Sequence, residues 1–328
     1  MNEPNKLVRR SAVQDLARHA AQDASPEIVS ALQKALRDED PFVRREAAYT
    51  LGDTRVVDAL PALLLAVDDP HSGVRQAAID ALGQIGDPRA TVRLQRALND
   101  DRPDVRFQAI MALARVSKPD GVSAVLRAVE DDDAHIRYVA LRTAEELCAS
   151  DHHDTGITLR LEAWVEEAAA RMLMDDSSRV RLAASILLAR SGSTAGASIL
   201  IDAIENRFVG IEPEDVSTAI ELAGELGLRE AIPGLERRAF GWKRLVIEQH
   251  AWLSGVALAR LGQERAKRQI LRDLQGGSRN KRTLAAMAAG RAKLAEAGPL
   301  LERMRGDDQA AEPEAVDEAL KVLQSGSS

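Results

Sequence analysis

A chain of 328 residues, 45% hydrophobic and 29% charged, has enough apolar material for a core and too much for a disordered polymer. One cysteine, Cys148, excludes an internal disulfide, and no run of about 18 uncharged apolar residues or N-terminal secretory stretch occurs, which predicts a cytoplasmic protein without membrane insertion. The net charge of -7 hides an asymmetry: residues 229–305 hold 17 Lys and Arg against 7 Asp and Glu, so this stretch is +10 and the remainder -17.

Aromatic residues are only 3%, while the strong helix formers Ala, Leu, Arg and Glu dominate, which predicts an all-α chain. Val8-Arg9 with Ala12 predicts a single helix that caps the N-terminus. One unit is then copied, with Val43-Arg44, Val74-Arg75, Val105-Arg106 and Ile136-Arg137 recurring every 31 residues. An Asp stands five residues before each pair (Asp38, Asp69, Asp100, Asp131), and an Ala stands three residues after each Arg (Ala47, Ala78, Ala109, Ala140). Asp175, Val180, Arg181 and Ala184 repeat the set.

Each unit reads as two amphipathic helices. Leu32 and Leu36 mark one face of the first, repeated as Leu63 and Val67, Leu94 and Leu98, Val125 and Val129. Val43, Ala47 and Leu51 mark the second. Pro41 is placed to open the second helix at its first position, and Gly83 and Gly86 with Asp87-Pro88 are placed to close it.

The regular array with its cap spans 1–147, and an irregular insertion follows at 148–160, containing Cys148, Asp151, His152, His153 and Asp154. Diverged units fill 161–328. Gly210 and Val216 occupy the Asp and Arg columns in one of them, Leu245 and Ala251 in the next, and only Arg282 restores the cation. A last helix is predicted over 313–323, before a Ser-Gly-Ser-Ser tail.

The pattern Asp, four residues, Val-Arg, two residues, Ala, three residues, Leu-Gly-x-x-Gly-Asp is complete from Asp69 to Asp87. It resembles the HEAT repeat family, in particular the short HEAT-like units of phycobilin lyases. The resemblance implies an α-α superhelix, a single armadillo-like HEAT-repeat solenoid over 1–328 whose second helices line a concave surface. It also implies that most relatives are scaffolds, with a few enzymes among them. A lone unit cannot bury its apolar face, so stacking on neighbours supplies the missing burial.

The Asp and Arg columns are expected to be structural, linking turns and adjacent units. Residues two and six places after each column Val are expected to face outward: Arg45, Gln76, Phe107, Tyr138, Leu182 and Tyr49, Asp80, Met111, Arg142, Ile186. Tyr49, Phe107, Met111, Tyr138 and Arg142 are the candidate partner-binding residues, since aromatic, Met and Arg side chains dominate interface hot spots. Arg265, Lys267, Arg268, Lys281 and Arg282, near Trp242 and Trp252, form a candidate electrostatic surface.

No catalytic centre is legible. HEAT-like deoxyhypusine hydroxylases bind iron through His-Glu pairs, and none of His19, His71, His135, His152, His153 or His250 is followed by Glu. No phosphate-binding Gly motif occurs, and no cofactor or metal is expected. The reading is a non-enzymatic scaffold for another protein, with self-association open. Its alternatives are a phycobilin-lyase-like enzyme or chaperone, and nucleic-acid binding through the basic stretch.

Overall fold

The computed structural model describes residues 3–116, 125–150, 163–241 and 250–325. Among them are 18 α-helices and no strand, in an α-α superhelical arrangement of helix pairs. They fall into two compact units, one holding α1 to α9 and the other α10 to α18.

In unit 1, α1 (Lys6–Ala20) packs on α2 (Pro26–Ala35) and α3 (Pro41–Thr54). The pairs α4 (Leu60–Ala66) with α5 (Ser72–Ile85) and α6 (Thr91–Ala97) with α7 (Pro103–Val116) follow. Next come a 3-10 turn at Leu126–Glu130, α8 (Ala134–Ser150) and α9 (Ala163–Met172). The second helices α1, α3, α5, α7 and α8 lie side by side in one layer. The residues that the periodicity places inward are inward: Leu32, Leu63, Leu94 and Val125 of the first-helix column, and Val43, Val74 and Val105 of the second, are fully buried.

The ends of these helices are set by local chemistry. The Asp40 carboxylate accepts from the Phe42 N–H at 3.0 Å, and Pro41 occupies the first turn as predicted. Gly86 closes α5 in the left-handed region at φ 72°. Gly83 has a different role from the predicted cap. It lies within α5, where a Cβ would come 2.9 Å from Ala112 Cα of α7. Gly52 meets Ala81 in the same way, at 2.6 Å. The glycines inside α3 and α5 therefore let the next second helix approach to backbone contact.

The Asp and Arg columns form a ladder. Arg44 forks onto Asp69 of the next pair at 2.7 and 2.9 Å, and its Nη1 donates to the Asp38 carbonyl of its own pair at 2.7 Å. Arg75 repeats this on Asp100 and the Asp69 carbonyl, and Arg106 on Asp131 and the Asp100 carbonyl. Arg9 begins the series on Asp38. Each column Asp also accepts from a backbone N–H two residues on, as Asp69 does from His71 at 2.8 Å. One carboxylate thus folds its own turn and receives the preceding pair.

Unit 2 comprises α10 (Ser178–Arg190), α11 (Ala197–Ile204), α12 (Pro213–Glu225), α13 (Ile232–Phe240), α14 (Ala251–Arg260), α15 (Glu264–Gln275), α16 (Arg279–Arg291), α17 (Gly298–Met304) and α18 (Pro313–Ser325). It has its own core, running from Leu182 and Ile186 through Ile220, Leu235 and Leu258 to Leu301 and Leu320. Where the Asp column is lost, other groups take over the joints. Arg238 donates to the Ile204 carbonyl at 2.7 Å, and the His250 Nε2 bonds the Pro213 carbonyl at 3.0 Å, so a buried Arg and His clasp α13 and α14 to the preceding pair. At α16, Arg282 donates to the carbonyls of Gly277, Gln309 and Ala310.

Candidate docking surface

The second-helix layer of unit 1 carries the residues that the sequence marks as partner-binding. Phe107 on α7 stacks on His135 of α8, with ring centroids 5.8 Å apart and planes at 8°. His135 lies 6.5 Å from Tyr138 in turn. His135 is exposed, while Phe107, Tyr138, Met111 and Arg142 are half-buried and Tyr49 is 37% exposed. Arg142 pairs with Glu145 one turn on. The structure thus brings Phe107 and Tyr138 together through His135, a residue that sequence reasoning considered only as a metal ligand. Tyr49 stands on α3, three second helices before Tyr138.

The outward columns are not uniformly outward. A residue two places after a column Val leans on the residue just before the column Val of the next pair: Arg10 lies 5.0 Å over the Phe42 ring, as Phe107 lies on His135. Phe42 also receives Arg45 from its own helix at 5.5 Å. Asp80, from the other column, accepts from Gln108 at 2.6 Å and Arg115 at 3.2 Å, linking α5 to α7. At α10 of unit 2 the same columns turn inward, and Leu182 and Ile186 are fully buried. There the neighbouring helices cover the apolar side chains and the core widens.

The basic candidates are mostly engaged within unit 2. Lys281 pairs with Asp273 at 2.8 Å, Lys267 lies within reach of Glu264 and Glu296, and Arg282 is taken up by the three carbonyls above. Arg265 covers the Phe240 ring at 4.1 Å. Arg265, Arg268 and Arg272 form no ion pair among the described residues, and their i, i+3, i+7 spacing puts them along one side of α15. Trp242, Lys243 and Arg244 lie outside the described residues, as do Asp151, His152, His153 and Asp154. No group of three or more His, Cys, Asp or Glu able to hold a metal occurs among the described residues. Among the described residues, no helix is long and apolar enough to cross a membrane.

Residues 1–72, 56–106 and 91–155 match the HEAT repeats family. Residues 1–155 of this chain are HEAT repeats. The matched residues include the whole Arg and Asp ladder from Arg9 to Asp131, and the diverged pairs of unit 2 lie beyond them. Three solved structures are similar to this chain. YibA of Escherichia coli is 20% identical, with 80% of this chain and 90% of that one covered and a TM-score of 0.57. An engineered protein is 19% identical over 98% of this chain and 97% of its own, at a TM-score of 0.51. The complex of CpcE and CpcF of phycocyanin lyase from Nostoc is 20% identical over 72% and 89%, at a TM-score of 0.39. No curated protein matches. At these identities the likeness to YibA and to the engineered protein is one of fold.

One surface was missed by the sequence columns because they stopped at Ile186. Continued one and five places beyond the Arg-column positions Ala251 and Arg282, they reach Trp252 on α14 and Met287 on α16. Arg291 of α16 lies 5.4 Å over the Trp252 ring and donates to Glu221 of α12 at 3.0 Å.

Proposed function

We propose that this protein is a non-enzymatic scaffold that docks another protein on the second-helix layer of unit 1, through Phe107, Met111, Tyr138 and Arg142, with Tyr49 at the edge. The observation that carries the reading is the Phe107–His135–Tyr138 stack. It holds three rings in fixed orientation while leaving His135 in solvent, so the anchors are ordered before a partner arrives. The ladder supports the reading from below. Its Arg forks fix adjacent pairs, so anchors on α7 and α8 keep their spacing.

A Tyr138→Ala, Arg142→Ala double variant should lose about 2 kcal/mol or more of partner affinity and keep its helices by circular dichroism. Reversing Arg265, Lys267 and Arg268 to Glu should change the salt dependence and on-rate more than the affinity. The partner is captured with the full-length chain as bait, with and without nuclease, and its binding to both variants is then measured. If the charge reversal abolishes binding and the double variant binds normally, the scaffold surface of unit 1 is refuted.

A second reading has one observation in its favour, the row Arg265, Arg268 and Arg272, whose charges are not matched by carboxylates among the described residues. Such a row suits a phosphate backbone. Affinity for DNA or RNA falling steeply between low and physiological salt, together with nuclease-sensitive capture, would put this reading first.

A further inference from the structure

Unit 2 shields its apolar side chains well, with one local exception. Among its described residues, Met174, Val209, Leu284 and Met287 are the large hydrophobics with more than a third of their surface in solvent. Met174 and Val209 sit in turns, but Leu284 (50% exposed) and Met287 (36% exposed) belong to the middle of α16. With Arg291 they fall at i, i+3 and i+7, one side of the helix. Arg291 carries that side across to the half-buried Trp252 on α14 and onward to Glu221 on α12. The composition is Trp, Leu, Met and Arg, rich in the residues on which interface affinity concentrates.

The two helices that carry this stripe bear charge of one sign. The helices α14 and α16 carry Arg260, Arg279, Lys281, Arg282 and Arg291 and not one carboxylate. Lys281 and Arg291 each leave 52% of the side chain in solvent although they pair with Asp273 and Glu221. The opposite flank of α16 already shows which neighbour such a helix accepts. There α18, with Glu314, Asp317 and Glu318 on one side and Val316, Ala319 and Leu320 on the other, packs so closely that a Cβ on Gly290 would meet Ala319 Cα at 2.9 Å. Arg279 reaches Glu312 just before α18 at 2.9 Å. On the side facing α14, by contrast, α16 meets its neighbour only briefly.

We propose that Leu284, Met287 and Trp252, rimmed by Lys281 and Arg291, form a second docking site that takes an acidic amphipathic helix from a partner protein. Apolar residues of that helix at i, i+3/i+4 and i+7 cover Leu284 and Met287, and its flanking carboxylates meet Lys281 and Arg291. The inference rests on the scaffold reading above and places a different partner element on a different unit.

The test uses the full-length chain and two labelled helical peptides of about 18 residues, both with a Leu stripe, one flanked by Glu and the other by Lys. Fluorescence anisotropy should show the Glu peptide binding at least tenfold tighter than the Lys peptide. Leu284→Gln with Met287→Gln should weaken the Glu peptide at least tenfold while the chain stays folded by circular dichroism, since Leu284 and Met287 already leave 50% and 36% of their surface in solvent. The Tyr138→Ala, Arg142→Ala variant should bind the Glu peptide as the native chain does. Equal affinity for the two peptides, or Glu-peptide binding untouched by the Gln pair, overturns the proposal. If the captured partner still depends on Tyr138 and Arg142 in that event, the scaffold reading stands and only the second site falls.

Discussion

Arg106 has 12% of its side chain exposed, its fork on Asp131 and its Nη1 on the Asp100 carbonyl, so its removal leaves a nearly buried carboxylate without its ion-pair partner and a turn carbonyl without that donor. Arg106→Ala should therefore lower stability by about 1–3 kcal/mol in a chemical melt. Binding of a partner at Tyr138 should survive at temperatures where the variant is folded. A loss of binding with an unchanged melt would show that the cation column touches the partner and is not a joint. Two carboxylates in the turns beside the ladder also carry a pH signature. The Arg10 hydrogen bond holds Asp40 below its ordinary 3.8, and Arg89 brings Asp87 down to about 2. These carboxylates release their protons more readily folded than unfolded, so their contribution is fully present above about pH 4 and is lost as pH falls toward 2. Glu225 has the opposite sign, because burial lifts it above 4.5 ahead of the opposing pull of Arg260. Its contribution is present below 4.5 and declines as pH rises through the raised value. Thermal melts of Glu225→Gln against the native chain should thus favour the variant increasingly as pH rises from 4 to 7, and a difference independent of pH would sink the assignment.

At the scale of the element, the spacing between second helices depends on a glycine that the sequence presents as a helix terminator. Gly83 sits under Ala112, and a methyl group there requires α5 and α7 to separate. Gly83→Ala should cost about 1–3 kcal/mol through overpacking, more than the roughly 1 kcal/mol expected for Gly86→Ala, where only the left-handed backbone opposes the change. Urea melts of the two variants measure the order, and a Gly83→Ala variant as stable as the native chain would show that the helices separate without cost. Helix faces were legible from period alone: the Val, Ala and Leu columns are buried where the 31-residue repeat puts them. The outward columns were legible only in part. Whether Phe107 or Leu182 meets solvent depends on what the next pair places beside it, and adjacency across pairs is not a property of one helix.

For the whole molecule, the two compact units predict where the chain can be cut. A fragment ending at Val116 removes α8 from the flank of α7 and exposes the apolar stacking side of a regular array, so it should aggregate or melt without cooperativity. Residues 173–328 keep an uncut core from Leu182 to Leu320 and should fold with a cooperative thermal transition. Circular dichroism melts and light scattering of both fragments distinguish the cases, and a soluble, cooperative 1–116 would refute the nearest-neighbour account for this array.

The amino-acid sequence by itself determined the repeat, its period, the helix pairs, the inward columns and the structural use of Arg and Asp. Each of these follows from local spacing and from side chains that have one good way to be satisfied when copied every 31 residues. Tertiary structure decided three further things. Gly83 became a contact and not a cap, because helix separation is set by the partner helix. Arg282 became a joint to three carbonyls and not a free surface charge, because the turns before α16 and α18 present backbone acceptors to it. Phe107 and Tyr138 were joined through His135, while Trp252 came to lie beside the exposed stripe of α16 through Arg291. A repeat dictates which face of a helix is buried, but the environment of an exposed side chain is made by its neighbours in space, and those are chosen only when the pairs stack.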